Sequence, residues 1–73
     1  MQKDENVAIT RLWHEIKIIV DSLELDVTKN ARGVYAAGVR SRHGLRLLRR
    51  KALDLLKVTL ELDRAKLALK KNE

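Results

Sequence analysis

Residues 26–30, DVTKN, interrupt a sequence that otherwise favours helix, and they decide between a helical hairpin and one long helix. Asp, Val, Thr and Asn are all poorer helix formers than Ala or Leu, and Asp26 or Thr28 is suited to cap a second helix. The stretch therefore predicts a turn. One continuous helix is the alternative, because a heptad-spaced series runs through the stretch unbroken: Ile16, Val20, Leu23, Val27, Asn30, Val34, Ala37 and Ser41.

Helical periodicity is present on both sides of this stretch, with apolar side chains at three- and four-residue spacing. In residues 7–25 the apolar face consists of Ile9, Leu12, Ile16, Ile19, Val20 and Leu23, with Trp13 at its edge. In residues 31–70 it consists of Leu45, Leu48, Ala52, Leu55, Leu62 and Leu69. We therefore predict an all-α fold with residues 1–73 in a single domain: a first helix over about 7–25, a turn over about 26–30, and a second helix over about 31–70.

The chain is too short to build a large core. It has 73 residues, no Cys, no Phe and no Pro, and chains of this size usually need a disulfide, a metal or a partner chain. A first helix of roughly 30 Å would cover only about half of a second helix of roughly 60 Å. The leucines from residue 53 to 69 would then lack a partner in their own chain. We expect a homodimer, either a coiled coil or a four-helix bundle, that buries Leu53, Leu56, Leu60 and Leu67.

Three glycines lie in or beside the second predicted helix, where each costs about 1 kcal/mol relative to Ala. Ala37, Ser41 and Gly44 share one helical face, and Gly33 lies nearby. Such small residues predict the close approach of another helix, and local fraying is the alternative.

Positive charge is concentrated in the middle of the chain. Residues 1–27 carry three cations and six acids, residues 28–51 eight cations and no acid, and residues 52–73 five cations and four acids. A block of one sign favours a partner of the opposite sign, and the planar fork of Arg suits phosphate oxygens. The predicted nucleic-acid-binding residues are Lys29, Arg32, Arg40, Arg42, Arg46, Arg49, Arg50 and Lys51.

On a helical wheel these cations divide into two groups. Arg42, Arg46, Arg49 and Arg50 fall on one side, beside the apolar stripe, whereas Arg40 and Lys51 lie on the opposite flank. The interpretation favoured here is backbone binding to nucleic acid with weak sequence preference. The alternatives are pairing with first-helix acids such as Glu15 and Glu24, or a basic face that makes the chain an adaptor for an acidic protein.

Other functions have little support in the sequence. His14 and His43 have no second ligand at a useful spacing, and no phosphate-binding glycine loop is present. We expect no catalytic residues, no metal, no cofactor and no small-molecule substrate. The longest uncharged run has seven residues, whereas a membrane span needs about 20, so we expect a cytoplasmic protein with no membrane partner.

Residues 30–64 resemble the bacterial linker-histone-like family associated with chlamydial chromatin. The matching pattern is Asn30, then Ala36-Ala37-x-x-Arg40-x-Arg42, then Leu48, Ala52 and Lys57. The resemblance implies a helical hairpin, sequence-nonspecific DNA binding and chromatin compaction, with Arg40 and Arg42 as the matched cations. We expect association with the nucleoid, or with the virion if the source is viral. The family typically continues into a Lys/Ala-rich tail, whereas this sequence ends in KKNE.

Overall fold

The computed structural model describes residues 6–71, and within them the chain forms two antiparallel helices. Helix α1 spans Val7–Ala31 and helix α2 spans Tyr35–Lys71. Helix α1 begins at an Asn cap, where the backbone N–H of Ile9 donates to Asn6 Oδ1 over 3.1 Å. The prediction of an all-helical hairpin is therefore confirmed, and the continuous-helix alternative is excluded. Dimerisation stays a prediction.

The predicted turn over residues 26–30 is wrong, because all five of these residues are helical. Neither Asp26 nor Thr28 caps a second helix. The Thr28 hydroxyl instead donates to the carbonyl oxygen of Glu24, one turn back in α1, over 2.8 Å. Weak helix propensities cost only some tenths of a kcal/mol per residue, so packing against α2 is enough to keep this stretch helical.

Helix α1 ends at Ala31, one residue beyond the predicted turn, and Gly33 follows with a positive φ of 93°. The backbone N–H of Gly33 donates to Asn30 O (2.9 Å), and that of Val34 donates to Lys29 O (3.1 Å). These two bonds form a Schellman motif, which satisfies carbonyls left free at a helix end. A side chain at this φ costs about 1–2 kcal/mol, so the turn is located where glycine is. Gly33 serves the turn and not helix packing, because nothing lies within 4 Å of where its Cβ would be.

The core between the helices is narrow. Leu12 and Leu23 of α1 are each 7% exposed, and Ala37 of α2 is fully buried. A Cβ on Gly44 would collide with the Leu23 side chain, so the predicted close approach along the small-residue face is confirmed. Gly38 and Ser41 of α2 are also buried, and seven further positions of α2 are half-buried: Gly44, Leu48, Lys51, Leu55, Val58, Thr59 and Leu62.

The molecule is a single layer of two helices, with principal extents of 59 × 24 × 12 Å. The half-buried positions of α2 extend to Leu62, so α1 covers more of α2 than the sequence suggested, while residues 63–70 are exposed. Leu53, Leu56, Leu60 and Leu67 are each about half exposed or more. None of the helices described within residues 6–71 has both the length and the apolar character needed to cross a membrane.

Candidate nucleic-acid interface

Two of the eight cations in the basic block are held by acids of α1. Arg40 Nε lies 3.0 Å from Asp26 Oδ1, and Lys51 Nζ lies 2.8 Å from Glu15 Oε1. Internal pairing, one of the two alternatives to phosphate binding, thus accounts for these two side chains. The sequence predicted Glu15 as a partner and missed Asp26, which it had assigned to a turn. Among the described residues Glu24 forms no ion pair.

The Glu15–Lys51 pair alters the acid–base chemistry of its carboxylate. The hydrogen bond from Lys51 holds the pKa of Glu15 below its ordinary value; desolvation opposes this effect, and the nearby charges of Lys51, Arg11 and His14 add to it. Glu15 is therefore ionised at neutral pH and serves as a structural partner of α2.

Within residues 28–51, four arginines of α2 remain outside these pairs: Arg42, Arg46, Arg49 and Arg50. All four are exposed, and none forms an ion pair with any residue in the described range 6–71. At about 100° per residue, they project from the sides of α2 that do not face α1. We call these four residues the arginine row.

The surface around the arginine row contains two shallow depressions. One is lined by Arg42, Leu45, Arg46 and Arg49, and the next is lined by His43, Arg46, Leu47 and Arg50. Arg46 therefore lies between the two. Each depression is lined by one leucine and by two or three of the exposed arginines, whose charged ends are available to an anion.

The other two predicted cations, Lys29 and Arg32, are exposed at the turn. Lys29 lies in the last turn of α1 and Arg32 caps that helix. A cation at a helix C-terminus is stabilised by the helix dipole, so both have a structural role that needs no ligand. The predicted site therefore consists of three groups in the structure. Arg40 and Lys51 are paired with acids, Lys29 and Arg32 lie at the turn, and the other four residues form the arginine row.

The arginine row has the chemistry of an anion-binding surface. Arg donates hydrogen bonds in a fixed, planar geometry that matches phosphate or carboxylate oxygens, and a helix holds these donors at defined intervals. From Arg42 to Arg50 the row extends over nine residues, or about 12 Å along the helix axis. Comparison of the chain with protein-family models, curated proteins and solved structures finds no match.

Proposed function

We propose that the protein is a non-enzymatic, sequence-nonspecific DNA-binding protein that contacts phosphates through the arginine row. One observation carries the proposal. After Asp26 and Glu15 have paired with their cations, the acid-free stretch 28–51 still has four exposed arginines on α2, without an acid partner among the described residues. The resemblance of residues 30–64 to linker-histone-like proteins supports the same function.

The contacts available to such a surface are with the DNA backbone. Binding of arginines to phosphates releases condensed counterions, which makes affinity strongly dependent on salt. Phosphate contacts fix position but carry no base information. The described part of α2 offers Tyr35 as its one aromatic side chain, which is too little for a base-stacking platform. The expected activity is therefore binding with little sequence preference.

A homodimer would present two arginine rows. Two phosphate-binding surfaces on one particle allow a protein to bridge separate duplex segments, and bridging is a direct route to nucleoid organisation and DNA compaction. We therefore propose a nucleoid-associated role, in which each protomer contributes one row and the leucines predicted for dimerisation join the two.

The test is a salt titration of binding to unrelated DNA duplexes, with single-stranded DNA and duplex RNA alongside. We expect similar affinities for duplexes of different sequence and a log–log salt slope of roughly −0.9 per phosphate contacted. Preference for one sequence, or a flat salt dependence, would contradict the proposal. Tighter binding to duplex RNA than to duplex DNA would identify RNA as the ligand in place of DNA. No duplex binding at physiological salt would favour an adaptor that recognises an acidic protein.

A further inference from the structure

The two ion pairs identify one of the two broad faces of the hairpin. Because Arg40 reaches Asp26 and Lys51 reaches Glu15, all four side chains lie on the same side of the line where the helices touch. Each pair joins α1 to α2 across this face. We call it the ion-paired face, and its opposite side must contain the residues on the other flank of each helix.

That opposite flank is apolar on both helices. On α1, Trp13, Val20 and Val27 recur every seven residues and lie roughly 50–90° from the buried line of Leu12 and Leu23, on the side away from Glu15 and Asp26. On α2, Leu45 and Leu56 lie on the corresponding side of the small-residue face. We call these five residues the apolar face: Trp13, Val20, Val27, Leu45 and Leu56, each about half exposed.

A single hairpin exposes more surface than a compact protein of its size. Its accessible surface is 6353 Å², whereas a compact protein of 8.4 kDa exposes about 4,600 Å². Domains are normally built from at least two packed layers, and this hairpin is one layer, 12 Å in its thinnest extent. The excess of about 1,700 Å² is more than the roughly 800 Å² per partner buried in a standard interface.

We infer that a second copy of this chain packs on the apolar face and completes a four-helix bundle. The inference deepens the dimer of the proposed function and does not depend on DNA binding. The rim of the face favours self-association, because it carries both signs of charge: Glu24 on α1 and Arg49 on α2, both exposed. A two-fold interface places each surface against its own copy, so Glu24 of one copy has access to Arg49 of the other.

This geometry leaves two members of the arginine row, Arg46 and Arg50, accessible to DNA. Arg46 projects almost directly away from α1, and Arg50 lies beyond it toward the ion-paired face. Neither is on the apolar face, so a bundle formed there keeps both on its outer surface. The same bundle includes Trp13, Val20 and Val27 of α1 in the dimer interface, whereas the sequence predicted a dimer interface formed by leucines of α2 alone.

The first experiment compares Val20→Lys with Ile18→Lys by sedimentation equilibrium. The two side chains are similarly exposed, 50% and 55%, but Ile18 lies on the side of α1 that faces away from α2. We expect Val20→Lys to weaken dimerisation at least about ten-fold, or about 1.4 kcal/mol, and Ile18→Lys to leave it unchanged. Equal effects of the two changes, or a larger effect at Ile18, would overturn the assignment.

A second measurement uses the unaltered protein and so does not depend on the folding of a variant. Trp13 is the only tryptophan in the chain and is 55% exposed in the hairpin. At concentrations where the protein is dimeric, its emission should be blue-shifted and protected from iodide, and dilution should reverse both. A dimer with freely quenched Trp13, or a folded monomer at every concentration tested, would refute the inference. Because no DNA is present in this experiment, neither result bears on the phosphate-binding proposal, which is tested separately by the salt titration.

Discussion

Two double variants with the same loss of charge can test whether DNA binding depends on the arginine row or only on the net positive charge. The first pair, Arg46→Gln with Arg50→Gln, removes two exposed cations of the arginine row. The second pair, Arg40→Gln with Lys51→Gln, removes the two cations that bind Asp26 and Glu15. Both double variants lower the net charge by two, so a difference between them must arise from position.

The expected magnitude follows from helix and duplex geometry. Arg46 and Arg50 are four residues apart, or about 6 Å along α2, and successive phosphates on one DNA strand are about 3.4 Å apart along the duplex axis. The two guanidinium groups therefore reach separate phosphates. Their loss should lower the log–log salt slope by about 1.8, which corresponds to about a 12-fold smaller loss of affinity over a four-fold rise in salt. The control pair should change the slope little.

The assay is fluorescence anisotropy with a labelled duplex over a series of salt concentrations, with circular dichroism to verify helix content. Gln retains helix propensity close to that of Arg, so the first double variant should remain folded. The control variant should melt at a lower temperature, because it leaves two acids of α1 unpaired. An equal change of slope in both variants would show that net charge alone governs binding and would refute the role of the arginine row.

Three further predictions concern the hairpin itself. Gly44→Ala should destabilise it by up to about 2 kcal/mol in urea unfolding, because overpacking against buried Leu23 costs about 1–3 kcal/mol and the gain in helix propensity offsets only about 1 kcal/mol of this; a more stable variant would contradict the close approach. Ser41→Ala should stabilise by about 1 kcal/mol, because the Ser41 hydroxyl is buried without a hydrogen-bond partner among the described residues; a loss of stability would point to a bond that the hydroxyl does make. The ion pair of Glu15 with Lys51 should stabilise fully above the ordinary glutamate pKa, and this contribution should disappear as pH falls through the lowered folded value. Glu15→Gln should therefore flatten the decrease in melting temperature on acidification below about pH 5, and an unchanged acid dependence would assign that decrease to other carboxylates.

The helices were predictable from the sequence, but the position of the turn was not correctly derived from propensity. The differences among Asp, Val, Thr and Asn are small and are easily exceeded by tertiary packing. The energetic preference for glycine at the positive φ of Gly33 is larger than these differences and depends only on the local backbone. A stronger signal was present in the same region, since a cation at Lys29 followed by a glycine just past the helix end is the usual C-terminal pattern.

The candidate site was only partly predictable for a different reason. A helical wheel separates Arg40 and Lys51 from the other arginines, and the structure shows why: these two reach the acids of α1. Which acids they meet depends on the alignment of the two helices, and an error in the turn shifts that alignment. The ion pair of Asp26 with Arg40 was not predicted for this reason, because Asp26 was expected to lie in the turn. The flank of α1 that contains Val20 was likewise assigned to the core and is half exposed.

The Schellman turn also determines the order in which the two helices can join during folding. Contacts near it close short loops, since Asn30 and Gly38 are neighbours in the hairpin and Asp26 and Arg40 are 14 residues apart. Glu15 and Lys51, farther from the turn, are separated by 36 residues. Each doubling of loop length adds about 0.6 kcal/mol of closure entropy. Contact formation is therefore favoured from Gly33 outward, with the Asp26–Arg40 pair closing before the Glu15–Lys51 pair.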